Sequence, residues 1–561
     1  MNNSKLTPAG EKNIGRIKDG KVIYDNLIEM TKNPMKYNEE LLMKILDDNK
    51  DTEYGKKYDF DNIKSIEDYQ KKVPITEYDD YREYVERMSE DNEKNLITVY
   101  EIDHYAKSSA TLGEPKKIPF SLPAQKVLTD YINNQAYYIL WKELGDNWVN
   151  KKTFNLLEMA LEKLKHGETF GALSVKFMFQ YKDYIELFFI SPYESFFSSQ
   201  KTNKRYLHAR YALMNKDMSI VQATFFNLYL DVLRYIENNW ELLVKDIGTG
   251  TIDESIRLTD EEKESLKDKI KPMPERAEEL KKIFEEGFES PIIPRLWPEL
   301  EVIVGIGTGG FSMYTQKIKE KYSGENLNFC FVGLIASEGT FSFPLEINSE
   351  KASLLPNSVF YEFIPIDTED LNKCITLDKL EEGKKYEIVI TNLSGFYRYR
   401  MRDIVKVNGK HNEMPLIEFV CRSNQYADIC GEKTSEYVMR KSLRETELQL
   451  GFDLYEYFMI PDDEKFPYRY IFFIEASNIP KDLTLDDVRY SIEENLSKNN
   501  PYFKEKMKEN FDKIKIKSLK PEDFMSYRDF IISNGISSTQ LKPPRIIINE
   551  SHREFFKSML N

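Results

Sequence analysis

The sequence predicts an α/β protein with a large N-terminal domain, residues 1–424, in which β-sheets are flanked by helices, and a small C-terminal α+β domain, residues 425–561. Three successive textures carry that expectation. Residues 1–105 read mainly helical, with polar turns. After Trp297, short apolar runs suited to strands take over. Near Arg422 the pattern changes again, to two strands, a helix, a third strand and a last helix.

In the first stretch, Pro74, Asp79 and Asp80 punctuate a Tyr-rich segment from Tyr78 to Tyr84. Val127, Leu128, Tyr131, Ile132 and Gln135 recur at near-helical spacing, so a long helix is expected over 124–141. A second is expected over 219–245, where Phe225, Leu228, Val232, Ile236 and Trp240 demand burial on more than one side. Residues 256–288 are charged and read as a solvated pair of helices. The runs at 302–304, 329–335, 359–364, 386–390, 404–407 and 417–420 follow. Several are nearly continuous in apolar residues, as strands covered on both faces should be. Beyond the boundary, 455–460 and 468–474 read as strands and 483–498 as a helix. Lys513 to Lys517 alternates with period two, and 521–533 reads as a final helix.

Composition narrows the function. The chain has 561 residues, enough for a core of enzyme size. It carries 79 Lys and Arg against 94 Asp and Glu, a net charge of −15. Non-specific nucleic-acid binding runs on Lys and Arg, so no nucleic-acid partner is expected. Cys330, Cys374, Cys421 and Cys430 contain no C-x-x-C pair and are too few for a disulfide scaffold. The five histidines have no zinc spacing. The N-terminal residues lack a signal-peptide pattern and no apolar run reaches membrane-spanning length. A cytoplasmic protein without a membrane partner is expected, and the acidic surface is compatible with a monomer.

Three motifs carry chemistry. In Ser108-Ser109-Ala110-Thr111-Leu112-Gly113-Glu114-Pro115-Lys116, hydroxyls and backbone N–H groups on a loop of small residues could converge on a phosphate. The pattern is not that of an ordinary nucleotide P-loop, and a plain polar turn would look similar. Ala336-Ser337-Glu338-Gly339 follows the apolar run 329–335. A carboxylate ending a buried strand is placed to hold Mg²⁺ beside a nucleotide; the alternative is a strand-end Glu facing water. In Tyr397-Arg398-Tyr399-Arg400-Met401-Arg402-Asp403, a fixed Asp could accept both ribose hydroxyls. The alternative is a basic-aromatic strand with cation–π pairs and a surface ion pair at the Asp.

In this order and spacing, the motifs give the chain a resemblance that runs nearly end to end. It includes Thr52-Glu53-Tyr54-Gly55, Val73-Pro74-Ile75-Thr76, the stretch Trp240 to Gly250, Leu296-Trp297-Pro298, Leu355-Pro356-Asn357 and Phe360-Tyr361-Glu362-Phe363. It closes on Gly431-Glu432-Lys433-Thr434-Ser435-Glu436 and Gln540-Leu541-Lys542-Pro543-Pro544-Arg545. The chain resembles the auxin-responsive Gretchen Hagen family of acyl acid–amido synthetases, a branch of the adenylate-forming enzymes. The resemblance implies that architecture, with a small C-terminal domain that rotates between two half-reactions. A carboxylic acid first attacks the α-phosphate of ATP, with Mg²⁺, to give an acyl-adenylate. An amine, usually an amino acid, then takes the acyl group and releases AMP.

The resemblance also implies roles. Ser108, Ser109 and Thr111 would hold phosphates. Thr308 and Gly309, within Gly307-Thr308-Gly309-Gly310, would lie against the acyl-adenylate. Ser337 and Glu338 would sit at the phosphates, Glu338 as the metal ligand. Tyr397 would flank the nucleotide and Asp403 would bind ribose. Lys433 and Lys542 would neutralise charge on the transferring phosphate, Lys542 foremost. The acyl pocket would lie near 211–228 and 332–334. Against the family pattern, Ala110 and Arg402 stand at positions usually held by Gly, and Leu112, Leu334, Ile335 and Leu541 also depart from it. His104 precedes the first motif, but a lone His is more often structural, and no general base for the amine stands out. Two alternatives remain open: a thiol acceptor such as coenzyme A, and a non-catalytic relative that binds a nucleotide or an acyl ligand.

Overall fold

The computed structural model describes residues 6–107, 116–157, 161–179, 182–197, 203–366, 368, 373–423, 426–534 and 543–560. They fall into two compact units. The larger takes in residues up to 107, 117–401 and 405–419; the smaller takes in 402–404 and the chain from 420 onward.

The larger unit begins with helices Pro8–Met30 and Pro34–Asn49. Each carries proline in its first turn, where the missing N–H costs nothing. The Thr7 hydroxyl accepts from Gly10 N at 3.0 Å and caps the first helix. Asn38, fully buried, pins the second. Its amide donates to the Val359 and Pro356 carbonyls at 2.6 and 3.1 Å and accepts from Tyr361 N at 3.1 Å.

Three main sheets follow. One has four strands in the order Lys117–Ser121, Ile102–Lys107, Thr169–Gly171, Glu162–Lys163. The second is parallel throughout, in the order Phe154–Leu156, Ile220–Phe225, Val302–Ile306, Asn328–Phe331. The third has six strands, in the order Ser342–Phe343, Ala352–Leu354, Met414–Arg422, Tyr399–His411, Lys385–Asn392, Val359–Pro365. Val221, Ile303 and Phe329 of the parallel sheet are buried, which explains its nearly continuous apolar strands.

Two expected elements differ in detail. The stretch 219–245 opens as the strand Ile220–Phe225 and only then becomes the helix Phe226–Thr249. Ile220, Val221 and Thr224 are β-branched, and pairing on both sides decides for the strand. The helix expected over 124–141 is continuous from Leu122 to Leu144, but Asp130–Gln135 is a π-helical turn. Gln135 is fully buried there, with neither polar atom of its amide bonded within the protein.

The smaller unit is α+β, as the sequence suggests. Strand Asp453–Asp462 pairs antiparallel with Arg469–Ser477, which pairs parallel with Lys515–Leu519. Helices Glu436–Leu450 and Leu485–Asn499 lie in the same unit. The second opens on a capping box between Thr484 and Asp487. Arg545 is buried in an ion pair with Glu456, and its ring-facing guanidinium lies 4.9 Å from the Tyr457 ring centre. Among the described residues, no helix is long and apolar enough to cross a membrane.

Two histidines are buried in the larger unit. Burial, with Lys176 nearby, pushes His104 down to about 4, and burial, with Lys204, pushes His208 down to about 3. Both are therefore neutral in the folded chain, whereas an unfolded histidine titrates near 6.5. Protons bind the unfolded state preferentially, so this stability is intact above about pH 6.5 and is lost as pH falls, by up to about 1.4 kcal/mol per pH unit for each group. Thermal melts between pH 7.5 and 5 should show a falling midpoint below about pH 6.5. His208→Gln should flatten that slope, and an unchanged slope would contradict the assignment.

Candidate active site

The second motif is a hairpin tip. The parallel strand ends at Phe331, and Ile335–Ala336 then pairs antiparallel with Gly339–Thr340, leaving Ser337 and Glu338 as the two-residue turn. Glu338 thus does not end the buried strand, as the sequence suggested. The chain leaves the sheet before reaching it. Ser337 is half-buried, while Glu338 is only 8% exposed. The Tyr399 hydroxyl lies 3.4 Å from Glu338 Oε1, and Asn392 donates to the Glu338 carbonyl at 2.9 Å. Asn392 Oδ1 accepts from Ser394 N and Phe396 N at 3.0 and 2.9 Å. One amide side chain therefore ties the hairpin to the segment that leads into the third motif.

Within that motif, Tyr397 is a core residue. It is fully buried, its ring stacks on Tyr54 at 4.9 Å, and its hydroxyl donates to the Ile97 carbonyl at 2.8 Å. Both its polar ends and its ring are used by the protein, so the nucleotide-flanking role expected of it is corrected. Arg398 is also buried. Its guanidinium makes two parallel bonds of 3.0 Å to Glu362 and donates to the Gln70 and Val73 carbonyls at 2.9 and 2.8 Å.

Asp403 occupies an inward position of the strand Tyr399–His411, in register with buried Tyr399, Met401, Val405 and Val407. It is 5% exposed. Arg422 Nε donates to its Oδ1 at 3.0 Å. Sequence reasoning gave Arg422 no role. The signal available was the inward phase of Asp403 on an alternating strand, because a carboxylate there requires a partner. A carboxylate has more acceptor positions than one guanidinium N–H uses, so Asp403 retains capacity for hydroxyl donors.

Thr308 and Gly309 form the turn after the strand Val302–Ile306. The Thr308 carbonyl accepts from Phe311 N at 3.1 Å. Gly309 has φ +57°, and a Cβ there would stand 2.6 Å from the Phe419 ring. At Gly307 a Cβ would stand 2.3 Å from the Phe226 ring. The protein's own aromatic packing thus accounts for these glycines, where close approach of a ligand was the expected reason.

Lys433 is exposed and has φ +44°, between the buried residues Glu432 and Thr434. Ser108, Ser109, Thr111 and Lys542 lie outside the described residues, as do Ala110, Leu112 and Leu541. Among the described residues, no group of three or more His, Cys, Asp or Glu is gathered to hold a metal. Glu338 is a single buried carboxylate. That donor set fits a Mg²⁺ carried in on phosphates, which needs only one or two protein carboxylates.

Nine described residues other than glycine have positive φ. Six are Asp or Asn, which tolerate that conformation. The other three are Arg398, Arg402 and Lys433, all in the motifs singled out from the sequence. Arg402, at φ +64°, stands in the left-handed region that favours Gly, the residue usual at that position in the resembled family. Arg402→Gly should therefore be more stable than Arg402→Ala by about 1 kcal/mol, since both delete the side chain and only one relieves the backbone. Thermal or urea unfolding of the two variants side by side measures it. Equal stability would contradict the left-handed geometry.

Comparison with known proteins extends over nearly the whole chain. Residues 23–328 match the GH3 family N-terminal domain, 352–422 the GH3 family central domain and 436–551 the GH3 family C-terminal domain. The chain is 26% identical to the putative indole-3-acetic acid-amido synthetase GH3.9 of Arabidopsis thaliana, over 94% of each chain. It is 27% identical to the 4-substituted benzoates-glutamate ligase GH3.12 of the same plant, over 93% of this chain and 94% of that one. In structure it is similar to the GH3.15 acyl acid amido synthetase, with a TM-score of 0.83, 24% identity and 95% of each chain covered. The chain belongs to the GH3 family.

Proposed function

We propose that this chain is an AMP-forming ligase that joins a carboxylic acid to an amine, with an amino acid as the acceptor, through an acyl-adenylate. The observation that carries the reading is family membership over three consecutive domains, with relatives named an amido synthetase and a benzoates-glutamate ligase. In the first step a carboxylate oxygen attacks the α-phosphorus of ATP, and the bond to pyrophosphate breaks. In the second the amine nitrogen attacks the acyl carbon, the bond to the AMP oxygen breaks, and the amine proton passes to solvent or a base.

Each group has a task set by its chemistry. Glu338 would hold Mg²⁺, which neutralises phosphate charge when bound. Its burial, the Tyr399 hydroxyl and the Asn392 tie fix the carboxylate in advance. Asp403 would accept the ribose hydroxyls beside Arg422. Ser108, Ser109, Thr111 and Ser337 would donate to phosphate oxygens, and Thr308 and Gly309 would border the acyl group. Lys433 and Lys542 belong to residues 425–561, taken here as the small domain that rotates between steps; each would bring positive charge to the phosphate as it transfers. Such an enzyme would work in the cytoplasm, where ATP is supplied.

Acid-dependent exchange of labelled pyrophosphate into ATP tests the first step without the amine. A panel of aryl, indole and fatty acids should contain at least one that supports exchange. No exchange with any acid, together with no binding of Mg·ATP, would overturn the ligase reading. A second test is Asp403→Asn, which keeps an acceptor for Arg422 but removes the charge. It should weaken ATP affinity about tenfold or more while leaving the melting midpoint within a few degrees. Unchanged affinity would remove Asp403 from the ribose site.

A further inference from the structure

The turn that carries Lys433 is built with unusual thoroughness for a surface loop. Glu432 is fully buried although acidic. Its Oε1 accepts from Ile429 N at 2.9 Å and from the Tyr470 hydroxyl at 2.8 Å. Its Oε2 accepts from Cys430 N at 2.9 Å and from Ile429 N at 3.0 Å. The Asp428 carboxylate accepts from Gly431 N at 2.8 Å. On the other side of Lys433, fully buried Thr434 receives Asn500 Nδ2 at 3.0 Å and lies 3.1 Å from the Tyr470 hydroxyl. The same Asn500 nitrogen donates to the Glu432 carbonyl at 2.8 Å.

The supporting residues are themselves fixed. Tyr470 is fully buried, stacks on Phe503 at 5.3 Å and meets Phe511 edge-on at 5.2 Å. Burial, with the Glu432 carboxylate beside it, holds the Tyr470 phenol well above its ordinary value, so it stays protonated and donates. Asn500 Oδ1 caps the helix Pro501–Lys506 through Tyr502 N and Phe503 N at 3.1 and 3.3 Å. Lys433 alone in the run 432–434 is exposed, and it sits at φ +44°. An L-residue held left-handed costs about 1 kcal/mol or more, so the neighbours must impose it. A burial of charge on this scale also costs free energy unless every acceptor is used. The arrangement spends stability to fix where one lysine leaves the backbone.

We infer that Glu432, Tyr470 and Asn500 are positioning residues that lock the turn and present the Lys433 ammonium to the transferring phosphate. The inference rests on the ligase reading for the phosphate, and on geometry alone for the lock. A lysine stem has four rotatable bonds, so fixing its root narrows the volume its charge explores.

The test has two arms. In the first, Tyr470→Phe and Glu432→Gln are made in the wild-type and the Lys433→Ala backgrounds, and acid-dependent pyrophosphate exchange is followed. In the wild-type background each should lower kcat about tenfold with the KM for the acid little changed. In the Lys433→Ala background neither should lower it further, because the lysine through which they act is gone. Equal fold-losses in both backgrounds would mean a purely structural role and overturn the inference. The second arm needs no activity. Trypsin should cut after Lys433 slowly in the wild-type chain and about tenfold faster in both variants, with cleavage elsewhere unchanged. Unchanged cleavage at Lys433 would show that the turn is not locked by these groups. If no acid supports exchange even in the wild-type chain, the ligase reading fails by itself, and the trypsin arm still decides the lock.

Discussion

The buried pair between Arg398 and Glu362 organises the larger unit. Arg398 spends its guanidinium on Glu362 and on the Gln70 and Val73 carbonyls, so the six-stranded sheet and the C-terminal end of helix Ile66–Lys72 are held by one side chain. Its backbone N–H donates to Thr391 Oγ1 at 3.0 Å, and that hydroxyl lies 2.6 Å from the Tyr69 hydroxyl. Its carbonyl accepts from Thr76 N at 3.0 Å, and Arg400 N donates to the Thr76 carbonyl at 2.9 Å. Buried ion pairs return little net stability when complete, yet removing one partner costs several kcal/mol. The value of this pair is specificity of placement. It sets the strand on which Tyr399 reaches Glu338 and Asp403 turns inward.

Strain and chemistry coincide in this chain. Arg398, Arg402 and Lys433 adopt a backbone that their side chains disfavour; Arg402 adjoins Asp403, proposed to meet ribose, and Lys433 is itself proposed to meet the phosphate. Such strain persists only where the surroundings over-determine it. For Arg398 the surroundings are a buried carboxylate and two carbonyls; for Lys433 they are Glu432, Tyr470 and Asn500. Fixing donors and carboxylates before substrate arrives is what electrostatic stabilisation of a transferring phosphate requires, since no reorganisation is then needed during the reaction.

Much of this was legible in the sequence. The two textures after Trp297 and Arg422 correspond to sheets and to an α+β unit, because strand burial leaves a direct mark on residue choice. The second and third motifs marked places where the structure buries charge, at Glu338, Arg398 and Asp403. What could not be read was set by tertiary pairing. Ile220–Phe225 looked like the start of a helix until parallel neighbours on both sides made it a strand. Tyr397 looked available to a ligand because its cover comes from Tyr54, Phe60 and Ile97, each three hundred or more positions earlier in the chain. Arg422 was silent because its importance depends on the cross-strand phase of Asp403. The left-handed lysine was silent because neighbours distant in sequence, Tyr470 and Asn500, impose its geometry.

The central claim is that the acid is activated as an acyl-adenylate, and the fate of its oxygen tests that most directly. An accepted acid labelled with heavy oxygen in both carboxylate positions is turned over with Mg·ATP and an amino acid, and the products are weighed by mass spectrometry. The account predicts one labelled oxygen in AMP and the other in the amide carbonyl. Labelled inorganic phosphate with release of ADP, or amide formed with no label in AMP, would contradict it.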